Sequence, residues 1–277
     1  MGPNPVQILT VAAGVLFLTP SLPVLKGTPP GRKQVEQSIE NAYKGKTLSL
    51  RNFYTGPTLE FDSNGGALKG SKVGPWTLYS HILVNGMKLK SQSLEIDAKR
   101  LYLHYLAEEK KFQAFRDGDV RIHIHLDREP SRTQDLEPTL ARVFLNSGED
   151  FSELVPPYWK EFCSHMNDPD WSEKQMEKMR AQNSRRENGA VPPVPIRKPE
   201  PPYSKEARAA RINGTLTLTI VVDKQGDVSD VMLIRPLGMG LDEKAVETVE
   251  SWRFEPARLN GQATAVKLVV EVRFRLY

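Results

Sequence analysis

The closing segment of the chain, residues 266–276, constrains the fold most. Val266, Leu268, Val270, Val272, Phe274 and Leu276 fall on every second position, and Lys267, Glu271, Arg273 and Arg275 occupy positions between them. Successive side chains of an extended chain point to opposite faces, so this period of two builds a strand with one buried and one solvated face. Such a strand needs neighbouring strands and an apolar cover, and the residues before it supply both.

Ser204 precedes a run of good helix formers over 205–211 and is suited to cap it; Gly214 ends the run. Leu216, Leu218, Ile220 and Val222 then alternate with threonines, a second half-buried strand. The stretch 223–226, ending in Gly226, reads as a hairpin loop because glycine adopts positive φ without penalty. Residues 228–234 are the return strand, which Pro236 stops. Leu241, Ala245, Val246, Val249 and Trp252 recur at helical spacing with Glu243, Lys244, Glu247 and Glu250 outside the stripe. Asp242 and Glu243 are placed to favour the helix N-terminus electrostatically. Pro256 forbids continuation, and Trp252 and Phe254 are assigned to the core, with Arg253 solvated. Helix, hairpin, helix and closing strand make a small α+β module with an antiparallel sheet, expected to fold by itself over residues 203–277.

Gly214, Gly226, the 236–242 run Pro-Leu-Gly-Met-Gly-Leu-Asp with Leu241 and Asp242, then Trp252-Arg-Phe254-Glu-Pro256 and the final strand together resemble the C-terminal domain of the TonB family, the periplasmic energy transducers of Gram-negative bacteria. The resemblance covers about a quarter of the chain. It implies a protein-binding module in which an extended peptide from an outer-membrane receptor, or another periplasmic protein, adds beside the last strand. The implied contact residues are Val266, Lys267, Leu268, Val269, Val270, Glu271, Val272 and Arg273. A periplasmic location follows from the resemblance, with inner-membrane association and self-association into a dimer left open.

With 277 residues the chain has room for two ordinary domains. Its 26% charged and 39% hydrophobic content is that of a soluble globular protein. A net charge of +4 is small for this length and, without zinc-finger spacing or a basic-aromatic stripe, gives no nucleic-acid signal. One cysteine, Cys163, excludes an intramolecular disulfide. Residues 8–18 form an apolar run that as a helix spans roughly 16 Å, about half of a membrane's ~30 Å hydrocarbon core. That length suits the core of an export signal, with a short anchor within residues 1–25 or a misassigned start as alternatives.

Before the C-terminal module, Val35, Ile39, Ala42 and Tyr43 suggest a short amphipathic helix, and the pattern then turns to strands over 47–54, 58–62, 76–84, 87–89, 94–96, 100–105 and 119–127. Asn85-Gly86 is a strong hairpin signal. These features predict a mainly antiparallel β domain over 35–130 and a helical extension over 131–188 whose last helix is exposed. A proline-rich stretch follows within 189–202, read as a stiff interdomain spacer reaching at most about 40 Å.

Catalytic chemistry is sparse. His123 and His125 share one face of a strand, but Arg121 shares it too, which disfavours a cation. The 65–72 glycine loop has Ser and Lys in the wrong order for a phosphate loop and no helix after it. Cys163 near His165 lacks any oxyanion-hole feature. No catalytic residue, metal site or cofactor is therefore assigned. Three roles fit: docking of a receptor peptide, a periplasmic scaffold with recognition in the β-rich half, or a small-ligand carrier whose β-rich half binds an apolar molecule or glycan.

Overall fold

The computed structural model describes residues 31–68, 72–146, 149–184 and 190–276. The apolar run at 8–18 lies outside them, as does part of the 65–72 loop. No helix among the described residues is long and apolar enough to cross a membrane. The chain is α+β and divides into two compact units. Of the described residues, one takes those from 31 to 103 together with those from 113 to 149; the other takes His104–Phe112 and those from 150 to 276.

In the first unit the elements are α1 (Arg32–Tyr43), β1 (Thr47–Ser49), β2 (Thr58–Phe61), α2 (Trp76–Tyr79), β3 (His81–Lys90), β4 (Ser93–Leu106), β5 (Lys111–His125) and α3 (Glu137–Val143), with the far ends of β4 and β5 counted in the second unit. The sheet order is β1-β3-β4-β5-β2. Val35, Ile39 and Tyr43 of α1 join Val84, Ile96, Ile122 and Ile124 in one core.

Three expectations are corrected here. Residues 76–79 form a helical turn, not a strand: Pro75 starts it, and the N–H groups of Tyr79 and Ser80 donate to the carbonyls of Pro75 and Trp76, each at 3.0 Å. Asn85-Gly86 makes no hairpin. It sits inside β3 at an irregularity between Val84 and Gly86, and the chain reverses only after Lys90, which pairs with Ser93. Met87 and Leu89 carry β3 onward because both bury their side chains opposite Ile96 and Leu94. β2 runs parallel to β5 in an otherwise antiparallel-rich sheet. The stretches at 94–96 and 100–105 are one strand, β4, which hides the charged Arg100 in its middle. That guanidinium donates to the carbonyls of Tyr54, Gly56 and Tyr79, which satisfies the donors that burial takes from water.

The second unit contains α4 (Pro157–Ser164), α5 (Trp171–Ser184), β6 (Ala190–Val191), β7 (Val194–Arg197), α6 (Lys205–Ala209), β8 (Gly214–Val222), β9 (Val228–Arg235), α7 (Leu241–Val249), β10 (Arg253–Glu255), β11 (Ala257–Leu259), β12 (Gln262–Thr264) and β13 (Val266–Phe274). Its main sheet has the order β13-β8-β9, and β13 pairs antiparallel with β8 from Val266↔Val222 to Phe274↔Gly214. Helix α4 packs on β9. Tyr105, Phe112, Trp159, Phe162 and Trp171 form an edge-to-face aromatic cluster around it. The last helix before the proline-rich stretch, α5, is not simply exposed: Trp171 and Met179 are buried, and the Ser172 hydroxyl donates to the Ile234 carbonyl at 2.6 Å. The proline-rich stretch itself is built into the unit. β6 pairs with β11, and β7 pairs with β10.

Candidate partner-binding edge

Strand β13 is held along one side only. Its partner is β8, and among the described residues no strand pairs with its other side. The free side carries backbone donors and acceptors that a second chain can satisfy. Lys267, Glu271 and Arg273 are exposed on it, while Val272 and Phe274 are buried. Val266, Leu268 and Val270 are only half-buried, so the apolar face expected to be in the core is incompletely covered at the start of the strand; Val269, on the opposite face, is half-buried too.

The positions that carry the resemblance sit in the core and turns of the same unit. Ser204 caps α6, its Oγ accepting from the Ala207 N–H at 3.0 Å and donating to the Met239 carbonyl at 2.6 Å. Gly214 is the first residue of β8 and leaves room for Leu237, whose Cδ1 would lie 2.5 Å from an added Cβ. Leu241 is buried on α7, and Trp252 and Phe254 are buried with ring centroids 6.3 Å apart. Pro256 is half-buried between β10 and β11.

Asp242 does more than favour a helix dipole. Its carboxylate is fully buried and accepts from the N–H groups of Leu237 (2.8 Å) and Gly238 (2.6 Å), tying the glycine-rich loop to the start of α7. Burial, then the neighbouring Glu243, raises its pKa well above the ordinary carboxylate range. Glu243 is half-buried as a residue, but its Oε2 is sealed from solvent without a hydrogen-bond partner. Its Oε1 accepts from the indole N–H of Trp159 at 3.1 Å. Burial pushes Glu243 up to about 7. Sequence spacing placed Glu243 on the solvent face of its helix; the contact that encloses it comes from Trp159, 84 positions away.

A raised carboxyl pKa stabilises the fold at low pH: the contribution is full below the ordinary value near 4.5 and is lost as pH rises through about 7. Glu243→Gln keeps the acceptor for Trp159 and removes the charge. The variant is expected to match the native chain near pH 4 and to exceed it by roughly 1–3 kcal/mol at pH 8. Thermal melts at the two pH values check this; an unchanged difference would show that Glu243 ionises freely.

Among the described residues no group of three or more His, Cys, Asp and Glu side chains is placed to hold a metal ion. His123 lies 3.3 Å from Glu95 Oε1, and His125 is exposed. Burial pushes the Cys163 thiol up, away from the thiolate a nucleophile needs. Ser80 and His81 are hydrogen-bonded neighbours, but both are buried, and burial holds the His81 imidazole near 4, uncharged at neutral pH.

Residues 199–276 match the model of the family described as Gram-negative bacterial TonB protein C-terminal. They form a TonB-family C-terminal domain. Protein TonB of Vibrio cholerae serotype O1 is 33% identical to this chain over 78 residues, 28% of the chain and 32% of that protein. The chain thus spans about a third of the length of this curated relative. A solution NMR structure of the Pseudomonas aeruginosa TonB CTD aligns with 33% of this chain and 91% of its own, at 21% identity and a TM-score of 0.26. The strands β6 and β7, at 190–197, precede the matched residues.

Proposed function

We propose that this is an envelope protein of a Gram-negative bacterium whose TonB-type domain docks an extended peptide from an outer-membrane receptor along the free side of β13, linking the chain to receptor-driven transport. The observation that supports the reading is the one-sided pairing of β13, a nine-residue strand whose other side takes no strand among the described residues and so suits β-augmentation. Lys267, Glu271 and Arg273 interrupt that edge with charge, which opposes indiscriminate self-pairing and suits a peptide of complementary charge. The role is one of binding, with periplasmic location following from the receptor it would meet.

Neighbouring prolines test the edge. In an antiparallel ladder the N–H groups of successive residues point to opposite sides, so of Val270→Pro and Glu271→Pro one removes a bond to β8 and the other a donor on the free side. One variant is expected to lose its cooperative melt. The other keeps it and binds synthetic receptor N-terminal peptides at least tenfold more weakly by calorimetry. A folded variant that binds like the native chain overturns the assignment of β13.

A further inference from the structure

At the Val266 end of β13 the domain opens into an apolar groove of about 250 Å³, lined by Val191, Pro192, Pro193, Ala257, Ala265 and Val266 among others. β6 forms one wall through Val191↔Arg258, and β11 with β12 forms the floor through Ala257↔Thr264. Val266 belongs both to the groove and to the proposed docking strand, so a peptide laid along β13 and continuing past Val266 runs onto the groove. The wall residues 190–193 lie before the TonB-type match at 199–276.

The groove's chemistry differs from that of the strand. Pro192 and Pro193 have no N–H, so these two positions offer no donors and cannot extend main-chain pairing. What the wall offers is apolar area: Val191 is 54% exposed, as are its neighbours Val194 (51%) and Ile196 (68%) on the same arm. The volume is below the range that holds drug-sized ligands, and it suits one or two side chains.

We infer that this groove is a side-chain pocket for the docked peptide, selecting a bulky apolar residue just beyond the segment paired with β13. Main-chain hydrogen bonds along β13 then supply attachment, and the groove supplies choice among partners. The inference rests on the proposed β13 edge.

Calorimetry on the full chain tests it with synthetic receptor N-terminal peptides, each made with leucine or glycine at the residues flanking the paired segment. The native chain is expected to bind one leucine form about tenfold tighter than its glycine form. Ala265→Trp fills the groove from an exposed position, and Val191→Asp makes its rim polar. Either variant is expected to bring the leucine form down to the glycine form while leaving the glycine form unchanged. Equal binding of both forms to the native chain overturns the groove and leaves the edge standing. If neither form binds, the edge fails, and the groove inference falls with it.

Discussion

Replacing Trp252 with alanine is expected to cost roughly 3–5 kcal/mol of folding stability, as emptying a large aromatic site in a core does. The indole is 2% exposed and leans on Phe254. Its N–H donates to the Pro199 carbonyl at 3.1 Å, and Lys198 Nζ sits 4.7 Å from the ring centroid. One ring therefore joins the chain just after α7 to the segment that leads into α6. Trp252→Phe keeps part of the packing and loses ring volume and the indole hydrogen bond, for an expected cost of about 1–3 kcal/mol. Urea unfolding of both variants with unchanged m-values separates packing from a change in the unfolded state. A loss below about 1 kcal/mol for the alanine variant would show that the indole is not part of the core.

The elements of the TonB-type domain were legible because each has a local cause. Alternation gives β8 and β13, the stripe from Leu241 to Val249 gives α7, and Ser204 caps α6. The strands β10, β11 and β12 were not legible: each has three residues, too few for a period to show. The proline-rich stretch misled by composition. Proline lacks a donor, yet a short strand pairs with a neighbour on one side only, so Pro195 can lie opposite Phe254 in β7. Asn85-Gly86 misled in another way, since its turn chemistry lost to the burial of Met87 and Leu89 on the same strand. The buried Arg100 and the enclosed Glu243 look like surface residues in sequence, because their partners are carbonyls and an indole distant in the chain.

The candidate site was legible in part. Alternation shows that residues 266–274 form a strand, but its place at the end of the sheet depends on the order β13-β8-β9, a tertiary fact. The groove lies still further from local signals, since it needs residues 190–193 to meet residues 257–266. The helices α4 and α5 show the same limit. The polar sequence of α5 suggests solvent, yet Trp171 is buried beside Phe162 of α4, which with Trp159 belongs to the aromatic cluster of the second unit. A fragment of residues 203–277 alone would expose the β9 surface that α4 covers.

Gly226→Ala is expected to destabilise the second unit by roughly 3–5 kcal/mol, far more than its one added methyl suggests. Gly226 holds φ +85°, and a Cβ there would come within 1.8 Å of the Phe254 carbonyl oxygen. The contact is between two backbones, so no side-chain rotation relieves it. It persists because the Phe254 N–H donates to the Gly226 carbonyl at 2.9 Å, fastening the β8–β9 hairpin tip to β10. An alanine must therefore adopt a left-handed conformation at a cost of about 1–2 kcal/mol, push β10 away against packed neighbours for about 1–3 more, and weaken that bond. Gly261 is the internal control. It has nearly the same φ, +82°, with nothing within 4 Å of its notional Cβ, so Gly261→Ala bears the conformational cost alone, about 1–2 kcal/mol. Parallel denaturant melts of the two variants isolate the steric part. Equal losses would mean that the hairpin tip does not touch Phe254; a clear excess for Gly226→Ala shows that the glycine is kept for the approach of one backbone to another.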